Sequence, residues 1–180
     1  ALRKSLGVFY TPVQAVQYLI SFVDKILVED FAIEGGLSNN EQITTKVPCA
    51  PYKITKNKWS DEMTISVPRV AILDPACGTG SFGAEIIKYI KNTYFSGARS
   101  VFYENYIQQE NGLLSRLIGF EIMMTSYVVA HLKIRRTIDE TLGHLPTTQL
   151  PTNIFLTNTL TPPMSDLERG EQLTLFDFSA

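Results

Sequence analysis

Side chains that bind metal ions are scarce in this sequence of 180 residues, which contains two cysteines and two histidines. Cys49 and Cys77 are too few for a disulfide framework or a zinc site, and His131 and His144 are its only imidazoles. The sequence therefore predicts no metal site. Cys77 lies in a glycine-rich loop, where we expect it to fill space and not to act as a nucleophile.

Long apolar runs are also missing, since none approaches the roughly 20 residues that a membrane-spanning helix needs. No apolar core follows the basic residues near the N-terminus, as it would in a signal peptide. The formal net charge of −2 gives no overall attraction for nucleic acid, so any DNA affinity has to come from a local patch or from protein outside this sequence. We expect a cytoplasmic protein with no membrane partner.

The first third of the sequence divides into a helix and a region without periodicity. Apolar residues recur at helical spacing over residues 12–31, with Pro12 suited to the first turn and Thr11 to the N-cap position. Residues 33–68 contain scattered glycines and prolines, so we predict an irregular insertion with a short strand at 63–67.

Strands and helices alternate in the remaining two thirds, as expected of a doubly wound α/β sheet. The predicted elements are a strand at 69–73, a helix through Phe82 and Ile90, a helix within 101–117, a strand at 117–121, a helix at 123–142 and a strand at 153–158. On the 123–142 helix, the apolar stripe is predicted to face the core.

A glycine loop follows the first of these strands, in the stretch ILDPACGTGSFG at residues 72–83. Its last six residues satisfy the G-x-G-x-x-G pattern of dinucleotide-binding folds, but in those folds the strand runs directly into the first glycine. Here Asp74 comes first, and its charge would repel a diphosphate. The next strand-end carboxylate, Glu121, lies 38 residues after Gly83, well beyond the usual spacing of about 20.

S-adenosylmethionine (AdoMet) suits such a loop better, because it carries a sulfonium and an ammonium group and no phosphate. The string DPACGTGSF at 74–82 resembles motif I of the adenine-specific DNA methyltransferases of restriction–modification systems. Three further stretches resemble motifs of that family in the family's order: FYTP at 9–12, IGFEI at 118–122 and LTNTL at 156–160. A Y-T-P segment ahead of motif I resembles the arrangement of type I modification subunits and fused type IIG enzymes.

The resemblance implies a Rossmann-like, doubly wound α/β sheet of the AdoMet-dependent methyltransferase type, incomplete at its C-terminus and with an N-terminal helix. It also implies how the methionine end of the cofactor is held. Asp74 would bind the methionine ammonium group, and Tyr10, Thr11 and Pro12 would close over this end of the cofactor.

The same resemblance assigns the adenosine end. Glu121 would accept hydrogen bonds from the ribose hydroxyls, Ile122 would pack on the adenine, and Asn158 would meet the adenine edge. Gly78 and Gly80 would let the backbone approach the cofactor closely. Five further positions of these motifs are implied to contact the cofactor: Pro75, Ala76, Cys77, Phe82 and Leu160.

One motif of the family is absent from the sequence: the Asn/Asp-Pro-Pro-aromatic motif IV that holds the target base. The stretch Thr161-Pro-Pro-Met164 has neither the carboxamide nor the aromatic ring. We therefore expect residues 1–180 to be the AdoMet-binding part of a larger prokaryotic enzyme, without its target-recognition domain. The full protein would methylate the exocyclic amine of adenine in double-stranded DNA, with restriction or specificity subunits as further partners. The chain alone would bind cofactor without methylating.

Other functions stay open at this point. The same fold could serve an RNA or protein-glutamine methyltransferase, or a module that binds AdoMet without catalysis, while a nicotinamide oxidoreductase fits least. A basic stretch at Lys53, Lys56, Lys58 and Trp59 could contact DNA phosphates, although a solvated loop is the favoured interpretation. His131 falls within a predicted helix, where a packing or surface role is favoured over catalysis.

Overall fold

A computed structural model describes residues 11–55, 58–102, 107, 112–143 and 152–159. The helices and strands in these ranges are numbered here in chain order. They are α1 (Val13–Glu29), a short 3₁₀ turn (Gly36–Ser38), β1 (Gln42–Thr55), β2 (Lys58–Pro68), β3 (Ile72–Asp74), α2 (Ser81–Tyr94), α3 (Arg99–Phe102), α4 (Leu113–Arg116), β4 (Leu117–Glu121), α5 (Met124–Leu142) and β5 (Asn153–Leu156).

Three strands form a parallel sheet in the order β3-β4-β5. Ile72 pairs with Leu117, Asp74 with Gly119, and Glu121 with Leu156. The predicted strand at 117–121 is therefore confirmed. The strand predicted at 69–73 is found at Ile72–Asp74, and the strand predicted at 153–158 is found at Asn153–Leu156. Because the strands are parallel, all three carboxyl ends lie at one edge of the sheet.

The hydrophobic core lies where α1, α2 and α5 pack together and against the sheet. Ile87 and Ile90 on α2 and Ile134 and Ile138 on α5 are all buried, and the stripe predicted for the 123–142 helix is confirmed by these last two. Gly83 allows the two helices to approach, because a Cβ atom there would lie 2.8 Å from Ile134 Cδ1.

A buried carboxylate joins α1 to α2 and to the 3₁₀ turn. Asp24 is 5% exposed and accepts hydrogen bonds from Leu37 N at 2.7 Å, Tyr89 OH at 2.9 Å and Tyr94 OH at 2.7 Å. Burial and the hydrogen bond to Asp24 raise the pKa of Tyr89 to about 12, so its hydroxyl stays a donor at neutral pH. Asp24 therefore joins three elements through three hydrogen bonds.

The prediction of an irregular insertion at 33–68 is wrong, because β1 and β2 form a long antiparallel hairpin across most of that region. The short strand predicted at 63–67 is part of β2. Prolines were the misleading signal: Pro48 and Pro51 fall at a register shift between Pro48 and Tyr52. A proline is tolerated there because each strand of a two-stranded ribbon has a free edge.

The two ends of this hairpin are held together by the body of the protein. The guanidinium of Arg116, which is 1% exposed, donates to the backbone oxygen of Leu37 at 2.7 Å and to that of Val70 at 3.2 Å. Leu37 precedes β1 and Val70 follows β2. An ion pair between Arg69 Nη1 and Glu41 Oε2, 2.8 Å apart, is a second contact between the two ends of the hairpin.

One further prediction needs correction, and another falls largely outside the described residues. Helix α1 begins at Val13, and its N-cap is Pro12, whose carbonyl accepts from Val16 N at 3.1 Å, so Thr11 is one residue too early to cap the helix. The helix predicted within 101–117 is described only in parts, which include α3 and α4, and most of the residues between these two lie outside the described ranges.

Across the described ranges, no helix has the length and apolar character that crossing a membrane requires. Within those same ranges, no group of three or more histidine, cysteine, aspartate or glutamate side chains is arranged to hold a metal ion.

Candidate cofactor site at the carboxyl edge of the parallel sheet

The loops that follow the three parallel strands are tied to one another. Cys77 N, after β3, donates to Phe120 O at 2.9 Å, and Thr157 N, after β5, donates to Glu121 O at 2.8 Å. The hydroxyl of Thr159 reaches back to Pro75 O at 3.1 Å. These contacts gather the segments 74–80, 121–123 and 157–159 at one edge, as expected for the carboxyl ends of a parallel sheet.

Two glycines of the loop after β3 adopt left-handed conformations, which side chains disfavour. Gly80, with φ of 73°, is the N-cap of α2, and a Cβ atom there would lie 3.1 Å from the backbone of Ala130. Gly78, with φ of 56°, is different, because a Cβ atom there would meet no atom of the described residues within 4 Å. The backbone at Gly78 therefore faces open space that a ligand can enter.

Glu121 binds this loop to the end of β4. Its side chain is 7% exposed, with Oε2 accepting from Gly78 N and Oε1 accepting from Met123 N, both at 2.8 Å. A carboxylate has about four acceptor positions, so two remain after these bonds. Glu121 thus both fixes the loop and keeps hydrogen-bonding capacity for a ligand.

Asp74 ends the neighbouring strand and adds a second carboxylate. Its Oδ1 accepts from Ala76 N at 3.3 Å. Burial raises the pKa of Asp74, the hydrogen bond from Ala76 lowers it in part, and the charge of Glu121 raises it further. Two acidic groups on adjacent strands make this edge favourable for a positively charged ligand and unfavourable for a diphosphate.

Cys77 packs beneath the loop. A Cβ atom at Gly119 would lie 3.2 Å from its Sγ, so the thiol fills the space above that glycine. Burial, together with the charges of Asp74 and Glu121, raises the pKa of Cys77 to about 11. The thiol is protonated at neutral pH, which suits packing and not nucleophilic chemistry.

Two of the remaining candidate residues lie at this edge, and a third does not. Ile122 is 64% exposed just past the end of β4, and Asn158 is exposed after β5, so both lie at this edge. Phe82 instead packs against the hydrophobic core and lines a cavity of about 30 Å³ between the sheet and α2. That cavity is far smaller than the roughly 300 Å³ or more of a typical ligand pocket, so it belongs to the packing of the core.

Thr11 and Pro12 are exposed beside the start of α1. Contacts between Gln17 and Glu85 and between Asp24 and Tyr89 follow the same order along α1 and α2, so the two helices run parallel. The start of α1 therefore lies at the same end of the helix pair as the glycine loop. Tyr10, Leu160, the stretch 161–164, His144 and Lys56 lie outside the described residues.

His131 has a packing role. Its Nδ1 lies 2.6 Å from Thr152 Oγ1, and the edge of its ring meets Tyr127 with centroids 4.5 Å apart. The contact with Thr152 joins α5 to the residue before β5, and the contact with Tyr127 lies within α5.

Sequence reasoning missed a lysine that touches the loop. Lys133, on α5, donates hydrogen bonds to Ser81 Oγ at 2.9 Å and to Thr79 Oγ1 at 3.3 Å. A single lysine on a helix that also carries Arg135 and Arg136 gives no signal of this kind, because the contact spans more than 50 positions of sequence.

No known family profile matches the sequence, and no curated protein matches it. Solved structures do. The chain is similar to the ATP-dependent type ISP restriction–modification enzyme LlaBIII bound to DNA, with a TM-score of 0.54 and 22% identity over 93% of this chain and 9% of that one. It is also similar to a nuclease-deletion mutant of the type ISP restriction–modification enzyme LlaGI in complex with a DNA substrate mimic. The TM-score is 0.54, and the identity is 22% over 96% of this chain and 12% of that one.

A third similar structure is the DrdV–DNA complex, with a TM-score of 0.50 and 24% identity over 86% of this chain and 11% of that one. Identities this low show a shared fold. The chain spans about a tenth of the length of each of these proteins.

Proposed function

We propose that the chain is the AdoMet-binding portion of an adenine-specific DNA methyltransferase from a restriction–modification system. The observation that carries the proposal is the carboxylate of Glu121, which ends one parallel strand and holds Gly78 of the neighbouring glycine loop at 2.8 Å. Together with Asp74 on the adjacent strand, it forms an acidic edge beside an open backbone. The Rossmann-like fold of AdoMet-dependent methyltransferases is part of the proposal.

The chemistry of this edge favours AdoMet over a dinucleotide. AdoMet supplies an activated methyl group on a sulfonium, and its ammonium group adds a second positive charge. Asp74 is suited to bind that ammonium group, while Glu121 has acceptor positions left for two ribose hydroxyls. A diphosphate would meet the same two carboxylates unfavourably.

Neighbouring residues would hold the adenine. The exposed side chain of Ile122 offers an apolar surface for one face of the ring. Asn158 follows β5 at the same edge and can exchange hydrogen bonds with the ring edge. In the DNA-bound enzymes of similar fold, restriction and modification belong to one protein, which supports placing this chain in such a system.

Methyl transfer itself would need residues beyond this sequence, since motif IV is missing from it. The residues present bind and orient the cofactor, which is a large part of the work when the reaction depends on in-line alignment. DNA and other subunits are proposed as partners of the full protein, in the prokaryotic cytoplasm.

Calorimetric titration of the chain with AdoMet, S-adenosylhomocysteine and NADH tests this proposal. We expect AdoMet to bind, S-adenosylhomocysteine to bind without the benefit of the sulfonium charge, and NADH to give no heat of binding. NADH binding would establish that the glycine pattern, and not the acidic edge, was the informative signal. A folded chain that binds none of the three would refute the proposal for this chain.

A further inference from the structure

Lys133 contacts the glycine loop from the side of the helices. Its ammonium group donates to Ser81 Oγ at 2.9 Å and to Thr79 Oγ1 at 3.3 Å, and the side chain is half-buried. The two acceptors flank Gly80, whose φ is 73°. The ammonium group of Lys133 therefore binds the chain on both sides of Gly80, which has a left-handed conformation.

The surroundings of Lys133 keep its ammonium group in place. Glu85 lies one helical turn after Ser81 on α2. Burial alone would raise the pKa of Glu85, but hydrogen bonds from Gln17 and Lys88 and the charges of Lys88 and Lys133 lower it overall. The carboxylate of Glu85 is therefore ionised at neutral pH and attracts the ammonium group toward the start of α2.

The glycine loop is thus fixed from two directions. At the open edge of the sheet, Glu121 accepts from Gly78 N, and at the helix side Lys133 binds the hydroxyls of the two residues around Gly80. Glycine-containing loops have much conformational freedom to lose. Ordering the loop in the free protein removes that cost from the binding step.

We propose that Lys133 is a positioning residue for the ligand at this edge: it acts through Thr79 and Ser81 to hold the glycine loop in its binding conformation. The identity of the ligand rests on the proposed function, whereas the effect on the loop does not. Because Lys133 would not touch the ligand, its loss weakens binding by loosening the loop and leaves the ligand contacts chemically intact.

A second lysine provides a matched control. Lys88 has a side chain that is 42% exposed and donates to Glu85 at 3.0 Å, within one turn of the same helix. It shares the charge and the neighbour of Lys133 without contacting Thr79 or Ser81 in any hydrogen bond observed here. An effect of charge alone would appear equally at both lysines.

The experiment compares amide hydrogen exchange and AdoMet affinity in five variants of the chain. These are Lys133→Met, Lys133→Arg, Ser81→Ala, the double variant Lys133→Met/Ser81→Ala, and Lys88→Met. We expect Lys133→Met to speed exchange at residues 78–81 while leaving the amides of Ile87 and Ile90 unchanged. We also expect it to weaken AdoMet binding about tenfold, the usual scale for a lost hydrogen bond to a charged group.

The other variants separate positioning from a general structural role. In the double variant, Ser81→Ala should add little to Lys133→Met, because both remove one interaction. Lys133→Arg should restore part of the protection and affinity, and Lys88→Met should resemble the unmodified protein.

Three results would overturn the inference: unchanged exchange in Lys133→Met, full additivity with Ser81→Ala, or an equal effect of Lys88→Met. If the unmodified chain does not bind AdoMet, the proposed function fails, and exchange at residues 78–81 alone decides the role of Lys133.

Discussion

Asp24 and Glu121 are both buried carboxylates that accept a backbone N–H from a loop, yet their surroundings differ. Asp24 receives three donors, two of them tyrosine hydroxyls, and lies against Gly36, where a Cβ atom would be 2.3 Å from its Oδ1. Glu121 receives two backbone donors, beside the open backbone of Gly78. Burial of a carboxylate is therefore a poor sign of a functional site. Spare acceptor positions beside open backbone, as at Glu121, are the feature that makes a carboxylate a candidate for ligand binding.

The largest effect on stability is expected from removing the carboxylate of Asp24. Asp24→Ala leaves Leu37 N and the hydroxyls of Tyr89 and Tyr94 without their acceptor, so we expect the free energy of unfolding to fall by about 3 kcal/mol. Urea denaturation measures this change. The exposed Asp30→Ala is the control, expected within about 0.5 kcal/mol of the unmodified protein. A stability unchanged in Asp24→Ala would contradict a structural role for this cluster.

A smaller loss is expected from crowding the same carboxylate. Gly36→Ala places a Cβ atom against Asp24 at a positive φ, which should cost about 2 kcal/mol of stability. Gly97→Ala also has a positive φ, but among the described residues its Cβ atom would meet nothing within 4 Å, so it should cost about 1 kcal/mol from the backbone alone. Denaturation of the pair measures the difference, and equal losses would mean that Asp24 has room to move.

A substitution at Glu121 is expected to change AdoMet binding more than it changes stability. In Glu121→Gln the amide nitrogen has to face either Gly78 N or Met123 N, and the charge that attracts ribose hydroxyls is lost. AdoMet affinity should fall about tenfold, or about 1.4 kcal/mol, in calorimetry. Glu140→Gln makes the same change at an exposed ion pair on α5 and should bind AdoMet normally. Equal affinities in both variants would remove Glu121 from the proposed site.

The smallest effect is expected from Asp74→Asn. It depends on pH, and it should raise stability but weaken AdoMet binding. The pKa of Asp74 is raised above its ordinary 3.8, chiefly by burial, so the folded protein binds this proton more tightly than the unfolded chain. Ionisation of Asp74 then costs stability as pH rises from its ordinary pKa through its raised pKa, and the cost persists at all higher pH. Asp74→Asn should stabilise the protein by less than about 1 kcal/mol at neutral pH, with no gain below the ordinary pKa.

The same substitution should weaken AdoMet binding at neutral pH, because the ammonium group loses its partner. Thermal denaturation and calorimetry at several pH values measure the two effects together. A variant that loses stability at neutral pH, or that binds AdoMet as tightly as the unmodified protein, would contradict the role given to Asp74.

Much of the parallel sheet could be predicted from the sequence because local patterns determine it. The bounds of β4 and the apolar face of α5 follow from hydrophobic periodicity over a few turns or residues. The acidic residues at the strand ends could be found because parallel strands bring their carboxyl ends to one edge. Their roles toward AdoMet came from the resemblance and stay predictions.

The contacts that hold the molecule together could not be predicted in the same way. Asp24 meets Tyr89 and Tyr94 across 65 and 70 positions of sequence, and Lys133 meets Ser81 across 52. No local pattern encodes such pairs. The hairpin was missed because proline disfavours interior strands and is compatible with a ribbon whose edges are free.

Arg116 gives this hairpin a further consequence. One guanidinium binds the carbonyls of Leu37, before the hairpin, and Val70, after it. These two points of the chain are therefore held at a fixed separation that does not depend on the length of the hairpin between them. The entropy of closing that loop grows only slowly with its length. A reporter peptide or small domain inserted between Thr55 and Lys58 should therefore leave the glycine loop undisturbed. The hairpin is therefore a suitable attachment point for a label with which ligand binding at the glycine loop can be followed.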